Sequence, residues 1–456
     1  MLSGGLLRKR TDSSVTDKCS FYLLGFSYGS FRTCLSGFAR IAYSLQWWYL
    51  CNDNVGESSL MPHASASTYM LKVVTLNTWG VPFAPDKAAR MRNIGIEITR
   101  RNDDIIALQE VWDTHDLTPI LEGAQANGIS HYHHYPAGLI GSGLVILSRY
   151  PIVDVEFLPF RLQGTAETIY RGDYIARKGI AFARIQTPLT MVDVYNIHTV
   201  AQYHPDEQDE YRAHRAAQHY EAARFVTRQS PDGNPLIVLG DFNARPDQLS
   251  YRIFQTLSGM TDCYTALRPD DKGLTHWTRW GHNQFPGGRR IDYVFVRYGA
   301  QTSLIPVKTH FAFVTDQNGD AGLYSVNGRA TFSDHRGMVV EFEIRHNQKP
   351  ANRSPKSSPT EVRAVMAELS ATLHAGLIAA ATRKHNHAWH LQMTAVAALP
   401  LVGLSRFLGG WYRRLVLPGA VLYALVRGLF AYITVPAEIH RLEAITDEID
   451  TVLKTL

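Results

Sequence analysis

Six times between Leu71 and Phe342, a short apolar run of strand character adjoins an ionisable or amide side chain. Leu71–Leu76 runs into Asn77, and Asp104–Gln109 runs into Glu110. Met191–Ile197 ends at His198. Leu236–Gly240 ends at Asp241, with Asn243 two positions further on. Arg290–Val296 carries Asp292 near its start, and Ser333-Asp334-His335 leads into Met338–Phe342. Helix-length patterns lie between them, over Lys87–Arg101 and Asp209–Gln229. Strands and helices mixed in this way predict an α/β domain. Polar groups at the ends of its buried strands gather on one rim of a sheet, where sites are commonly built.

Composition narrows the class. Of 456 residues, 45% are hydrophobic and 19% charged, which permits a large core and excludes global disorder. The net charge of +5 is uneven: residues 1–70 carry +2 and residues 346–456 carry +5, leaving −2 for the middle. A core without net positive charge argues against a protein built to grip a nucleic acid backbone. Cys19, Cys34, Cys51 and Cys263 form neither a disulfide framework nor a zinc spacing, which fits a reducing compartment.

Taken singly, each strand-end residue has an ordinary explanation: turn chemistry for Asp241, a solvated carboxylate for Glu110, a satisfied histidine for His198 or His335. Their joint occurrence predicts a site for a hard metal and for acid–base work. Carboxylate and amide oxygens suit Mg²⁺, and unclustered Cys and His argue against zinc.

The flanks read differently. Residues 1–68 form a basic, aromatic-rich extension with Arg8, Lys9, Arg10, Trp47, Trp48 and Tyr49. It lacks the clean apolar run of a signal peptide. An organelle presequence, an interfacial anchor and a poorly ordered tail remain open for it. Residues 347–360 are a Pro/Ser/Lys linker. Residues 361–456 read as helical, with two apolar stretches at about 388–408 and 415–437, each long enough to cross a bilayer. Pro400, Pro418 and Arg427 keep open a pair of buried helices in a soluble domain. Residues 69–346 are the expected catalytic domain. A chain ending near Arg345 keeps every strand-end residue named above and is expected to fold.

The ordered motifs Leu76–Gly80 (LNTWG), Ala107–Trp112 (ALQEVW), Tyr195–Thr199 (YNIHT), Gly240–Asn243 (GDFN), Arg290–Val294 (RIDYV) and Ser333–His335 (SDH) resemble the endonuclease/exonuclease/phosphatase superfamily. The terminal apolar pair and Gly138–Ile152 (GLIGSGLVILSRYPI) narrow the resemblance to membrane-anchored neutral sphingomyelinases and their fungal relatives, the inositol phosphosphingolipid phospholipases. The resemblance implies a four-layer α/β sandwich of the DNase I type, followed by a transmembrane hairpin. It implies Mg²⁺-dependent, phospholipase C-type cleavage of a sphingolipid phosphodiester to ceramide and a phosphorylated head group, with Mn²⁺ as a substitute ion.

By that resemblance Glu110 is the principal metal ligand, and Asn77 supports the metal or the phosphate. His335 is the general base, a neutral imidazole near its reference pKa of about 6.5, and Asp292 orients it. Asp241 and Asn243 position water and a phosphate oxygen, His198 donates to the phosphoryl group, and Asp334 is a further support. Asp173 and Lys178, in Gly172–Gly179, match a segment these enzymes carry, with a plain loop ion pair as the alternative. A nuclease and an inositol-polyphosphate phosphatase would use the same catalytic set, and a catalytically dead membrane scaffold is the reading from another class. The expected partners are a sphingolipid substrate, anionic phospholipids as activators and a membrane, with no nucleic acid. The catalytic domain is expected to face the cytosol from an endoplasmic reticulum, Golgi or mitochondrial membrane. Choline and inositol head groups share the reacting centre, and the motifs do not choose between them.

Overall fold

Strands whose central members are buried on both faces build two six-stranded sheets. One contains β1 (Thr68–Asn77), β2 (Ile105–Gln109), β3 (His131–His134), β4 (Val145–Ser148), β11 (Thr302–Ala312) and β12 (Gly337–His346), in the order β11-β12-β1-β2-β4-β3. The other contains β5 (Ile152–Pro159), β6 (Gly179–Gln186), β7 (Met191–His198), β8 (Leu236–Asp241), β9 (Thr261–Asp262) and β10 (Asp292–Arg297), in the order β5-β6-β7-β8-β10-β9. This computed structural model describes residues 68–231, 233–276, 287–314, 332–346, 357–404 and 410–456. The expectations for the N-terminal extension and for most of the 347–360 linker lie outside these residues.

Inner-face residues of both sheets, among them Val73, Ala107, Ala183, Val194, Leu239, Val294 and Phe342, form one buried core. The outer face of the first sheet packs under α1 (Lys87–Arg100) and α2 (Thr114–Ala126) through Val74, Leu108, Met91, Ile94 and Ile120. The outer face of the second packs under α3 (Arg212–Gln229) and α4 (Leu249–Ser258) through Tyr195, Val238, Val226 and Phe254. The short α5 (Cys263–Leu267) follows β9. Helix–sheet–sheet–helix is the four-layer sandwich expected. Cys263 is buried and free.

Beyond the sandwich lie two long helical runs. Ser358 and Glu361 cap the first reciprocally, Ser358 N donating to Glu361 Oε2 at 2.8 Å and Glu361 N to Ser358 Oγ at 3.2 Å. That run is α6 (Pro359–Leu404), 46 residues long. The return run is α7 (Gly410–Leu429), a π-turn (Phe430–Thr434) and α8 (Val435–Leu453). Helix therefore resumes at Gly410, ahead of the apolar stretch expected from about residue 415.

The two ends of this pair differ. Val365, Met366, Leu369, Leu373, Leu442, Ile445 and Ile449 are buried against Ala213, Ala216, Ala217 and Tyr220 of α3 and Leu249 and Ile253 of α4. Ion pairs reinforce the contact: Arg252–Glu368 at 2.8 Å, Arg161–Glu448 at 3.2 Å and His214–Glu438 at 3.0 Å. The other end is apolar and exposed, at Trp389, Met393, Val396, Leu415, Leu422, Leu425 and Ile433. Both runs contain windows long and apolar enough to cross a membrane, with mean hydropathy 1.4 and 1.7. Arg427 sits near the π-turn and donates to His387 Nδ1 at 2.9 Å. A chain ending near Arg345 would lack this packing. Such a cut uncovers the apolar outer face of α3 and α4, which the sequence motifs do not reveal.

Candidate active site

Strand register brings the strand-end residues to one rim. β1 and β2 are parallel with Asn77 opposite Gln109, so Asn77 and Glu110 leave the sheet together. β7 and β8 are parallel with His198 opposite Asp241, and antiparallel β10 sets Asp292 opposite Asp241. Gly240 permits the close approach of β8 to β7: at φ 139° a Cβ there would lie 2.1 Å from the Ile197 carbonyl. Ser333 Oγ donates to the Asn77 carbonyl at 2.6 Å, carrying Asp334 and His335 to the same rim.

Two clusters result. In the first, Asn77 Nδ2 donates to Glu110 Oε1 and to Asp241 Oδ2, both at 3.0 Å, while its Oδ1 accepts from Trp79 N at 2.9 Å. Asp241 also accepts from Asn243 N at 2.9 Å and Asn243 Nδ2 at 3.1 Å. His198 Nε2 lies 3.6 Å from Asp241 Oδ2 and 3.8 Å from Glu110 Oε1. Glu110 Oε2 and both His198 ring nitrogens are buried without a hydrogen-bond partner among the described residues. Such atoms are costly unless a ligand meets them. In the second cluster, His335 Nδ1 is 2.8 Å from Asp292 Oδ2, and Asp334 Oδ1 is 4.0 Å from His335 Nε2.

The electrostatics follow from burial and neighbours. Burial raises the Glu110 carboxyl, and Lys178 and Asn77 offset part of that. Asp241 is pushed up to about 7 by burial and by Asp292. Burial, Lys178 and His335 hold His198 well below the ordinary imidazole value, so it is neutral. His335 is shifted the opposite way from His198. Burial disfavours its charge, but Asp292, Asp334 and Asp241 outweigh burial and push it up to about 10.

Asp173 and Lys178 form a buried ion pair at 2.6 Å on the adjoining loop. Tyr203 Oη donates to Asp173 Oδ2 at 2.5 Å, and Lys178 Nζ donates to the Thr199 carbonyl at 3.1 Å. Asn243 Nδ2 donates to that same carbonyl, so the pair is tied to the Asp241 cluster.

Two sets of side chains escaped the sequence reading. His276 bridges to both Arg289 and His335, lies 4.6 Å ring to ring from His335, and places Nε2 3.7 Å from Asp334 Oδ2. Gln109 Nε2 donates to Asn196 Oδ1 at 2.7 Å, and Asn196 Nδ2 donates to the Leu108 and Val145 carbonyls, joining the two sheets beneath the site. Gln109 and Asn196 fall within the motif runs, but only the sheet packing makes them partners. His276 falls in no motif.

The donor set fits a divalent cation. Glu110 offers a buried carboxylate oxygen that no described residue satisfies, beside hydrogen-bonded Asn77 and Asp241. Two further groups, His276/Asp334/His335 and Asp241/Asp292/His335, bring their ligand atoms within 4.8 Å of one another.

The family profile for Endonuclease/Exonuclease/phosphatase proteins matches residues 74–335, more than half of the chain. The protein belongs to that family. Among curated relatives, human sphingomyelin phosphodiesterase 2 is 28% identical over 308 residues, covering 64% of this chain and 69% of its own. The inositol phosphosphingolipids phospholipase C of Schizosaccharomyces pombe is 29% identical over 203 residues, covering 44% of this chain and 47% of its own. A Drosophila melanogaster relative is 30% identical over 278 residues, and the match spans 61% of its length.

Proposed function

We propose that this protein is a Mg²⁺-dependent phospholipase C acting on a sphingolipid phosphodiester, releasing ceramide and a phosphorylated head group. The observation that carries the chemistry is the meeting of Glu110, with an oxygen that no described residue satisfies, and the His335–Asp292 dyad on one rim. The substrate class is supported by the names of the curated relatives, sphingomyelin phosphodiesterase and inositol phosphosphingolipids phospholipase C.

Glu110 would hold the cation, with Asn77 fixing the carboxylate through its amide nitrogen. A bound divalent cation supplies neutralisation of phosphate charge and stabilisation of the departing alkoxide. Asp292 holds the Nδ1 side of His335, leaving Nε2 to take the proton of the attacking water. His335 serves as base only when its ring is neutral. Neutral His198 donates one N–H to the phosphoryl oxygens as their charge builds, and Asp241 with Asn243 orients the water. Asp334 and His276 steady His335 from its other side.

The exposed half of the helical pair is the proposed membrane anchor, with the catalytic domain on the cytosolic side and anionic phospholipids as activators. Arg427, beside His387 near the π-turn, then lies at the interface, where its charge is tolerated. The deciding experiment offers purified full-length protein with Mg²⁺ four substrates in parallel: sphingomyelin, inositol phosphorylceramide, lyso-platelet-activating factor and abasic DNA. Ceramide from either sphingolipid, abolished by EDTA, is expected. Cleavage of DNA alone sinks the proposal.

A further inference from the structure

The loop that carries Asp173 and Lys178 begins with a 3-10 segment, Ala166–Arg171, that packs against the π-turn Phe430–Thr434. Glu167 of this segment accepts from Arg383 Nε at 3.3 Å and lies 3.3 Å from His387 Nε2, both on α6. Arg383 is held in turn by Glu438 of α8 at 2.6 Å. The loop is thus fastened to the place where the helical pair leaves the catalytic domain. Two residues past the fastening, Ile169 is 51% exposed and Tyr170 78% exposed. Across the contact, Tyr432 and Ile433 of the π-turn are exposed as well.

The same loop touches a second one. Arg177 N donates to the Gly141 carbonyl at 3.2 Å, in the connection between β3 and β4, where Leu139 is 81% exposed. Exposed apolar tips on contacting segments are unusual on a protein surface facing only water. Tyrosine suits a boundary that is apolar on one side and wet on the other. Lys384 and Arg441 are exposed at the level of the Arg383–Glu438 pair, supplying positive charge for anionic head groups beside these tips.

We infer that Leu139, Ile169 and Tyr170 form a membrane-contacting rim that extends the root of the helical hairpin onto the active-site loops. The occupant is the head-group layer of the bilayer that holds the hairpin. The inference rests on the proposed membrane insertion and adds a second, separable contact to it. Glu167 fixes the rim to the root, and the chain between Tyr170 and Lys178 fixes it to the wall of the site. A lipid phosphodiester would then meet the catalytic rim without leaving the bilayer surface.

The test uses full-length protein reconstituted in vesicles of phosphatidylcholine, phosphatidylserine and sphingomyelin, with inositol phosphorylceramide replacing sphingomyelin in a second set. Variants are Leu139→Asp and the pair Ile169→Asp with Tyr170→Asp. Expected are a loss of about tenfold or more in vesicle hydrolysis through a raised interfacial KM, unchanged turnover of a water-soluble diester, and retention in the carbonate-washed membrane pellet. In a background with Cys19, Cys34 and Cys51 changed to Ser, an NBD label on Ile169→Cys should shift to the blue on reconstitution and be quenched by nitroxide lipids. Equal losses on both substrates, or no loss on vesicles, would overturn the rim. So would a label quenched by aqueous iodide rather than by lipid, or a blue shift that depends on protein concentration and assigns the tips to a second copy. Wild-type protein released by carbonate, or inactive on every lipid, sinks the parent proposal instead, and that arm is read before any variant.

Discussion

At the scale of single residues, backbone strain collects where the chemistry is proposed. Trp79 (φ 53°), Glu110 (φ 61°) and Asn243 (φ 46°) adopt left-handed conformations without being glycine. Each such residue costs on the order of 1–3 kcal/mol, held in place by its surroundings. Gly80 is part of that support, since a Cβ there would lie 1.9 Å from the Glu110 carbonyl oxygen. Buried Arg90 is another, donating to the Thr78 and Trp79 carbonyls at 2.7 Å. Glu110→Gln should cut turnover by about 10²-fold or more, the scale of a lost electrostatic catalytic group. Mg²⁺ should raise the thermal midpoint of the wild type but not of the variant. The metal-free variant should melt at the wild-type temperature or above, because burial already disfavours the Glu110 charge. An unchanged Mg²⁺ response in calorimetry would remove Glu110 as the ligand. His335 gives a second test. Asp292 is the main group raising its proton affinity, so NMR titration of the metal-free protein should find the His335 ring still charged at pH 8. In Asp292→Asn the transition should move to lower pH. The strand-end residues were legible because a polar side chain closing an apolar run is visible in one dimension. His276 was not, because its role comes from lying against His335 across 59 positions, which no local pattern encodes.

At the scale of elements, the paired parallel strands make a rim from residues far apart in sequence. Asn77 and Asp241 hydrogen-bond across 164 positions because β1 and β8 end together. The sandwich was legible from alternating strand and helix patterns. The docking of α6 and α8 was not, since an apolar helix face reads the same whether it meets protein or lipid. The loop ion pair is a case where both sequence readings were reasonable and geometry adds burial. Lys178→Ala leaves the Asp173 charge buried beside Tyr203 without its ion-pair partner, so it should destabilise the loop and slow turnover. Lys178→Ala with Asp173→Asn should recover stability but not rate, as read by thermal melts and assays on a soluble diester. Recovery of both would reduce the pair to a structural tie. Glu438 fastens α8 to α3 and α6. Burial raises its carboxyl, but His214 and Arg383 outweigh that and hold it down at about 2 in the folded protein. Its folded pKa lies below the ordinary 4.5, so its contribution is complete above that value and is lost as pH falls from about 4.5 to about 2. Thermal midpoints measured across that range should fall less steeply in Glu438→Gln than in the wild type.

At the scale of the whole molecule, the helical hairpin is divided by what it touches. The half from Pro359 to about Lys384, with Val435–Leu453, covers the apolar face of α3 and α4. Burial of a side chain such as Leu369, Leu373 or Ile449 contributes about 2 kcal/mol, so this half is part of the fold. The half beyond it, about 388–404 with 410–430, presents apolar side chains outward. At 1.5 Å per residue these segments are about 25–30 Å long, the thickness of a bilayer's hydrocarbon. Arg383 and Glu438 pair at the boundary, and His387 packs 5.0 Å from Phe430 just beyond it. The two helices are therefore close enough there to be joined by a short loop. Replacing residues 388–431 with a few Gly and Ser residues should yield a protein that folds, stays in the supernatant and turns over a soluble diester at the wild-type rate. The same protein should lose stimulation by phosphatidylserine and most of its activity on vesicles. A chain cut near Arg345 should instead aggregate, because it exposes Ala216, Ala217, Tyr220, Leu249 and Ile253 to water. High salt should weaken phosphatidylserine stimulation of the full-length protein, since each basic side chain at the membrane surface contributes roughly 1 kcal/mol through a screened field. Phosphatidylserine stimulation that persists in the shortened protein would move the lipid response off the hairpin and onto the catalytic domain.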